Sequence, residues 1–204
     1  MRASDDVLFA HLRRTNADFA RRVRSIEPGQ WADPTPCAEW DVRALVSHLV
    51  QANAIYRLLL HGGDSAQFLV IREQDALRDD PAGSFDAAAA SCLAAFGEPG
   101  ALDRVVDYPF GPVDGRKLLG LLIADTVVHG WDLARATGGP EELDPSLVEW
   151  VDDNFEWLYT GVAEGPLDPG STHSYFAAAA AAAAAAPADE TRQQRMLRLM
   201  GRRP

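Results

Sequence analysis

The chain has 204 residues, an apolar fraction of 47% and a formal net charge of −11 from 19 basic and 30 acidic residues. That length suits one domain, and the acidic balance argues against a nucleic-acid backbone or an anionic membrane surface as partner. Cys37 and Cys92 alone are too few for a disulfide scaffold, and the start carries no secretory signal. With no run of about 18 apolar residues either, the expectation is a cytoplasmic protein.

Leu8, Leu12, Phe19, Val23 and Ile26 recur at helical spacing, which predicts an amphipathic helix over residues 5–26, closed by Glu27-Pro28-Gly29. The linker 31–40 holds Pro34 and Pro36 and cannot be helical throughout. Asp41 then reads as the N-cap of a second helix running to Leu60, where His61-Gly62-Gly63 stops it. Residues 61–82 read as a looser connection with a short helix over Phe68–Leu77. Pro81 and Ser84 introduce a third helix over Phe85–Phe96, and the glycine- and proline-rich stretch 97–115 is expected to be a loop or short ribbon.

A fourth helix is predicted over Arg116–Thr137, ending at Gly138-Gly139-Pro140. Asp144-Pro145 signals the start of a fifth, with Leu147, Val148, Val151, Phe155 and Leu158 on its apolar side. Ala177–Ala186 is an unbroken alanine run to which no function is assigned, and Met196–Pro204 reads as a short docked helix and tail. The expected fold is all-α, a four-helix bundle with an added C-terminal helix: a bundle over residues 1–165 and an extension over 166–204.

The chemistry concentrates on the fourth helix. Asp125 and His129 stand four residues apart and leave the same face, stacked one turn apart, with Asp132 on that face as well. Their stripe also holds Leu118, Leu121, Leu122, Leu133 and Ala136, so it should face the core. An ionised carboxylate there costs several kcal/mol or more unless it is paired or bound to a cation. An internal Asp–His hydrogen bond and a metal both answer that cost, and the spacing does not choose. His48, on the apolar side of the second helix with Leu45, Leu49 and Ala52, adds the third member of a two-histidine, one-carboxylate shell. Asp132 is read as the acceptor that orients His129. Cys37, before a helix start, is weighed as a reactive thiol against an inert small hydrophobe, the commoner case. Trp40 and Trp131 are read as packing aromatics, and His11, His61 and His173 as solvated.

The segments Pro34–His48 and Asp125–Gly138, supported by the ending Gly201-Arg202-Arg203-Pro204, resemble the DinB-like superfamily, in particular actinobacterial proteins related to the N-terminal domain of mycothiol-dependent maleylpyruvate isomerase. The resemblance covers residues 5–165 and the tail. It implies a DinB-like four-helix bundle with a divalent metal on His48, Asp125 and His129, and chemistry with mycothiol or another low-molecular-weight thiol. Zinc is the leading candidate, with nickel or iron as alternatives. The isomerase carries glutamate where this chain has Asp125, and it has a further C-terminal domain for which this chain leaves no room after residue 165.

The functional expectation is a thiol-dependent isomerase or S-transferase acting on a small electrophile, with Arg43 and Arg135 as cationic anchors for the thiol or substrate. A metal-binding module without turnover is the competing reading, and a metal-free bundle with a buried Asp125–His129 bond is a third. The expected partners are small molecules, with no nucleic acid or membrane, and a homodimer is left open.

Overall fold

The computed structural model describes residues 4–38, 40–72, 74–109, 111–160 and 189–204. Helix α1 spans Asp5–Arg24, α2 Val42–Leu60, α3 Ser65–Arg72, α4 Pro81–Phe96, α5 Gly115–Thr137, α6 Pro145–Tyr159 and α7 Arg192–Leu199. Between α4 and α5 lie a turn of 3₁₀ helix, Ala101–Asp103, and two short strands, β1 Val105–Val106 and β2 Val113–Asp114. The strands pair antiparallel, Val105 opposite Asp114 and Val106 opposite Val113.

Four aspartates start helices in the same way. The backbone N–H of Ala44 donates to Asp41 at 2.8 Å, that of Gly83 to Asp80 at 2.9 Å, that of Lys117 to Asp114 at 2.7 Å and that of Ser146 to Asp144 at 2.8 Å. Each satisfies one of the N–H groups a helix start leaves without a partner. Asp80 therefore begins α4 at Pro81, four residues before the expected Phe85. The short helix also moves, to Ser65–Arg72 from the expected Phe68–Leu77. Its start is fixed by a reciprocal pair: Asp64 N–H donates to the Gln67 side chain at 3.1 Å and Gln67 N–H to the Asp64 carboxylate at 2.8 Å. The docked segment after residue 188 is helical from Arg192 rather than Met196, because Thr191 and Gln194 form a capping box. The boundary expected at residue 165 and the alanine run lie outside the described residues.

Helices α1, α2, α4 and α5 form the bundle, α2 against α4 and α1 against α5, with α6 laid on α5 and α7 on α6. This is an all-α, DinB-like architecture to which the hairpin β1–β2 is a small addition. Helix α6 comes close to α5 at Gly120, where a Cβ would stand 2.7 Å from Leu158 Cδ2. Among the described residues no helix is long and apolar enough to cross a membrane.

Among the described residues the interior holds two apolar clusters. One gathers Leu8, Leu12, Ile55, Tyr56, Leu118, Leu122 and Trp131, and the other Phe19, Val23, Leu45, Leu49, Phe85 and Leu133. Helices α2 and α5 contribute to both. His48, Asp125, His129 and Asp132 stand on those two helices where one cluster gives way to the other.

Candidate metal centre

Packing α2 against α5 brings His48 to the Asp125–His129 pair across 77 residues of sequence. His48 Nε2 lies 3.1 Å from one oxygen of Asp125, and His129 Nε2 lies 3.3 Å from the other. One ligand atom from each of the three residues lies within 4.8 Å of the other two. Trp40 covers both rings, its centroid 4.6 Å from that of His48 and 5.5 Å from that of His129. The linker that carries Trp40 is tied back on itself by Trp40 N–H donating to Cys37 O at 2.8 Å and by the Thr35 hydroxyl donating to Trp40 O at 2.8 Å.

The other nitrogen of His129, Nδ1, lies 2.9 Å from Asp132 Oδ2. Asp132 is fully buried, and Arg202 donates to both its oxygens, from Nε at 3.2 Å and from Nη2 at 2.6 Å. The Cys37 thiol completes this second group, 3.4 Å from Asp132 Oδ2 and 3.3 Å from Arg202 Nη2. Cys37, Asp132 and His129 Nδ1 also have metal-ligand types and spacing, but the Arg202 guanidinium already supplies the cation there.

Burial and charge set the protonation states. Desolvation would push the Asp125 carboxyl up, yet the two imidazoles hold it well below the ordinary carboxylate range. Desolvation would lower His129, yet Asp125 and Asp132 hold it well above the ordinary histidine value. For His48 desolvation outweighs Asp125 and brings the value down to about 4. Desolvation works against Asp132 as well, but His129 and Arg202 bring it to about 2. Near neutral pH the group therefore holds two carboxylates, one imidazolium and one guanidinium, with His48 neutral.

Two cavities meet at His48. The inner one, about 40 Å³, is lined by His48 and Asp125 together with Tyr56, Phe68, Arg72, Tyr108 and Tyr159. The outer one, about 300 Å³, is lined by Trp40, Asp41, Arg43, His48, Arg72 and Asp75 among others. Arg43 donates to Asp75 at 2.7 Å on the rim of that recess. Arg135 lines neither cavity: its guanidinium lies over Trp131, pairs with Glu141 and donates to Arg203 O at 2.9 Å.

Sequence reasoning missed Arg72, Tyr159 and Arg202, and undervalued Cys37. Their partners are tens of residues away, so no helical period announces them; the one available hint was an arginine directly after Gly201. His11 also departs from expectation, half-buried with its ring 5.5 Å from Trp150. His61 is exposed and lies 2.9 Å from Glu98, and His173 lies outside the described residues.

The family model for the mycothiol maleylpyruvate isomerase N-terminal domain matches residues 12–134. Two uncharacterized proteins of Mycobacterium tuberculosis, from strains CDC 1551 and H37Rv, are each 35% identical over 143 residues, which is 70% of this chain and 74% of theirs. A crystal structure of the mycothiol-dependent maleylpyruvate isomerase superposes with a TM-score of 0.60 at 12% identity, over 80% of this chain and 75% of that one. A histidine-to-alanine mutant of that enzyme gives a TM-score of 0.61 at the same identity and coverage. At that identity the likeness speaks for the fold.

Proposed function

The chain belongs to the mycothiol maleylpyruvate isomerase N-terminal domain family, and on that premise we propose that it is a metal-dependent thiol enzyme. In this reading it is an isomerase or S-transferase that joins a low-molecular-weight thiol such as mycothiol to a small electrophile. One observation carries the reading: two imidazole nitrogens and a carboxylate converge within 4.8 Å, and His48 and Asp125 of that group line a cavity. Two nitrogens and one oxygen suit zinc, with nickel or iron as alternatives. A divalent metal held by His48, Asp125 and His129 would act as a Lewis acid towards sulfur, lowering the thiol's pKa so that its proton leaves to solvent and the sulfur is held as thiolate.

The residues present match that role in charge. His48 is already neutral, and His129 gives up the proton on Nε2 while Nδ1 stays bonded to Asp132. Arg202 cancels Asp132, so Asp125 alone opposes an incoming divalent cation, and one thiolate closes the balance. The larger recess that His48 also lines takes the body of the thiol, with Arg72, and Arg43 in exchange for Asp75, on its lining to meet an acidic group. The inner cavity, walled by three tyrosines and Phe68, takes the electrophile once it widens. A closed structural shell would need a fourth ligand, and the nearest candidate, Asp132, is engaged by His129 on one side and Arg202 on the other. That engagement supports an open, catalytic shell over a storage or stability site.

The test is metal analysis followed by cobalt substitution. The expected results are about one divalent ion per chain and, on adding mycothiol, a sulfur-to-cobalt charge-transfer band that strengthens as pH rises towards the thiol's own value. Purified protein without metal, whose thermal stability ignores a chelator, would overturn the reading. A cobalt spectrum indifferent to mycothiol and to cysteine would reduce it to metal binding alone.

A further inference from the structure

Arg202 reaches Asp132 from 70 residues away in sequence, and the route is specific. Helix α7 closes in a Schellman turn: Gly201 adopts φ 79°, its N–H donates to Arg198 O at 2.9 Å, and Arg202 N–H donates to Leu197 O at 2.8 Å. A side chain at residue 201 would be strained in that conformation, so glycine is what lets the chain turn back. The turn sends the Arg202 side chain inward, where it is 10% exposed. Its Nη1 donates to Met200 O at 2.7 Å, which fixes the guanidinium plane, and Nε and Nη2 meet Asp132 as a fork. The seat of α7 is firm as well: Met196 and Leu197 are fully buried, and Arg195 Nη1 donates to both oxygens of Asp152 on α6 at 2.8 Å.

We propose that Arg202 is a positioning residue for His129, so that the turn after α7, which supplies no ligand atom, is a working part of the metal centre. This rests on His129 being a ligand, as argued above. Asp132 accepts from His129 Nδ1 at 2.9 Å, a bond that lasts only while its carboxylate is held facing the ring. It is fully buried, and Arg202 is the guanidinium that pairs with it. Without that fork the carboxylate is free to turn away, which lets the imidazole rotate and present the wrong nitrogen. The thiol of Cys37, at 3.3 Å from Nη2, keeps contact with the fork but is no substitute for the carboxylate.

The experiment measures zinc affinity by competition with a chromophoric chelator, in the full chain, for Arg202→Gln, Arg202→Lys, Asp132→Asn and the Arg202→Gln/Asp132→Asn double variant. Helicity and Tm are recorded alongside. Arg202→Gln is expected to weaken zinc about tenfold to a hundredfold, the range typical of partners that orient a ligand. Lysine, a point charge without the fork, should restore part of that. The double variant should be no weaker than the worse single one, because both act through the same hydrogen bond. Wild-type zinc affinity in Arg202→Gln with a lowered Tm would make Arg202 a mere fastening for α7 and overturn the proposal, as would additive losses in the double variant. Should Arg202→Gln fail to fold, Arg202→Lys decides: weaker zinc at unchanged helicity supports the proposal, and wild-type affinity ends it. A wild-type chain that binds no zinc or other divalent ion defeats the metal reading itself, a result separate from these.

Discussion

His129 is gripped by two aspartates, and the two sides of its ring are built differently. On the Nδ1 side, Asp132 is fully buried and its counter-charge is part of the protein, a guanidinium fixed by its own backbone contacts. On the Nε2 side, Asp125 keeps 30% of its side chain exposed, faces a cavity and is balanced by a proton that sits on His129 itself. A carboxylate whose cation is built in is scaffold. A carboxylate whose cation is only a proton is ready to exchange it for something else. Burial and pairing thus separate the supporting aspartate from the binding one, although both stand on one helix within seven residues.

The substitution that removes the shared element should have the largest effect. His129→Ala is expected to bring metal binding below detection, at least a thousandfold loss, while the bundle stays helical because its stability resides in the two apolar clusters. Elemental analysis and circular dichroism read the two halves of that statement. A variant that unfolds outright, in metal-free and metal-loaded preparations alike, would make His129 a core residue.

The two aspartates should then part company. Asp132→Ala strands a nearly buried guanidinium and should cost about 3–5 kcal/mol of stability. Asp125→Asn should cost less in the metal-free protein, because its partner His129 can shed a proton and the guanidinium cannot, yet weaken metal binding by removing the shell's one negative charge. Urea unfolding of both variants measures the contrast, and equal costs would erase it.

Acid should give the next effect. Asp132 stands at about 2 in the folded chain against an ordinary 3.8, so its contribution is present above pH 4 and lost as pH falls towards 2. That amounts to on the order of 2 kcal/mol. His48, at about 4 against 6.5, works in the same direction between those values, since the unfolded chain takes up its proton first. His129 has the opposite sign: its contribution is complete below pH 6.5 and is lost as pH climbs through its raised native value. Unfolding of metal-free protein across pH tests the acid limb, which Asp132→Asn should flatten below pH 4.

Much of this molecule could be read from local rules. Asp41, Asp144 and Gly138 are caps whose function is written in two or three residues, and they placed the ends of α2, α5 and α6 correctly. Asp80-Pro81 carries the same signal as Asp144-Pro145, so Pro81, which the sequence marks as introducing the helix, is already its first residue. The short helix α3 was misplaced because eight residues offer too little period to set against the cap at Asp64. His48, Asp125, His129 and Asp132 could be nominated because helical spacing makes neighbours of residues three and four apart. Arg202 and Cys37 meet Asp132 only through tertiary packing, which no local pattern encodes.

The inner cavity has one further property. Its 40 Å³ amounts to room for about three waters, too little for most organic electrophiles as it stands. Two of its walls, Phe68 and Arg72, belong to α3, which has Phe68 as its one buried residue. The floor, on α2 and α5, is anchored in both apolar clusters. A chamber with a deeply buried floor and a wall that buries one side chain yields by local opening rather than by global strain. Amide exchange on α3 should therefore be the fastest among the cavity's helices and should slow when the chamber fills. Substrate size would then be set by how far an eight-residue helix can lift before Phe68 leaves its seat.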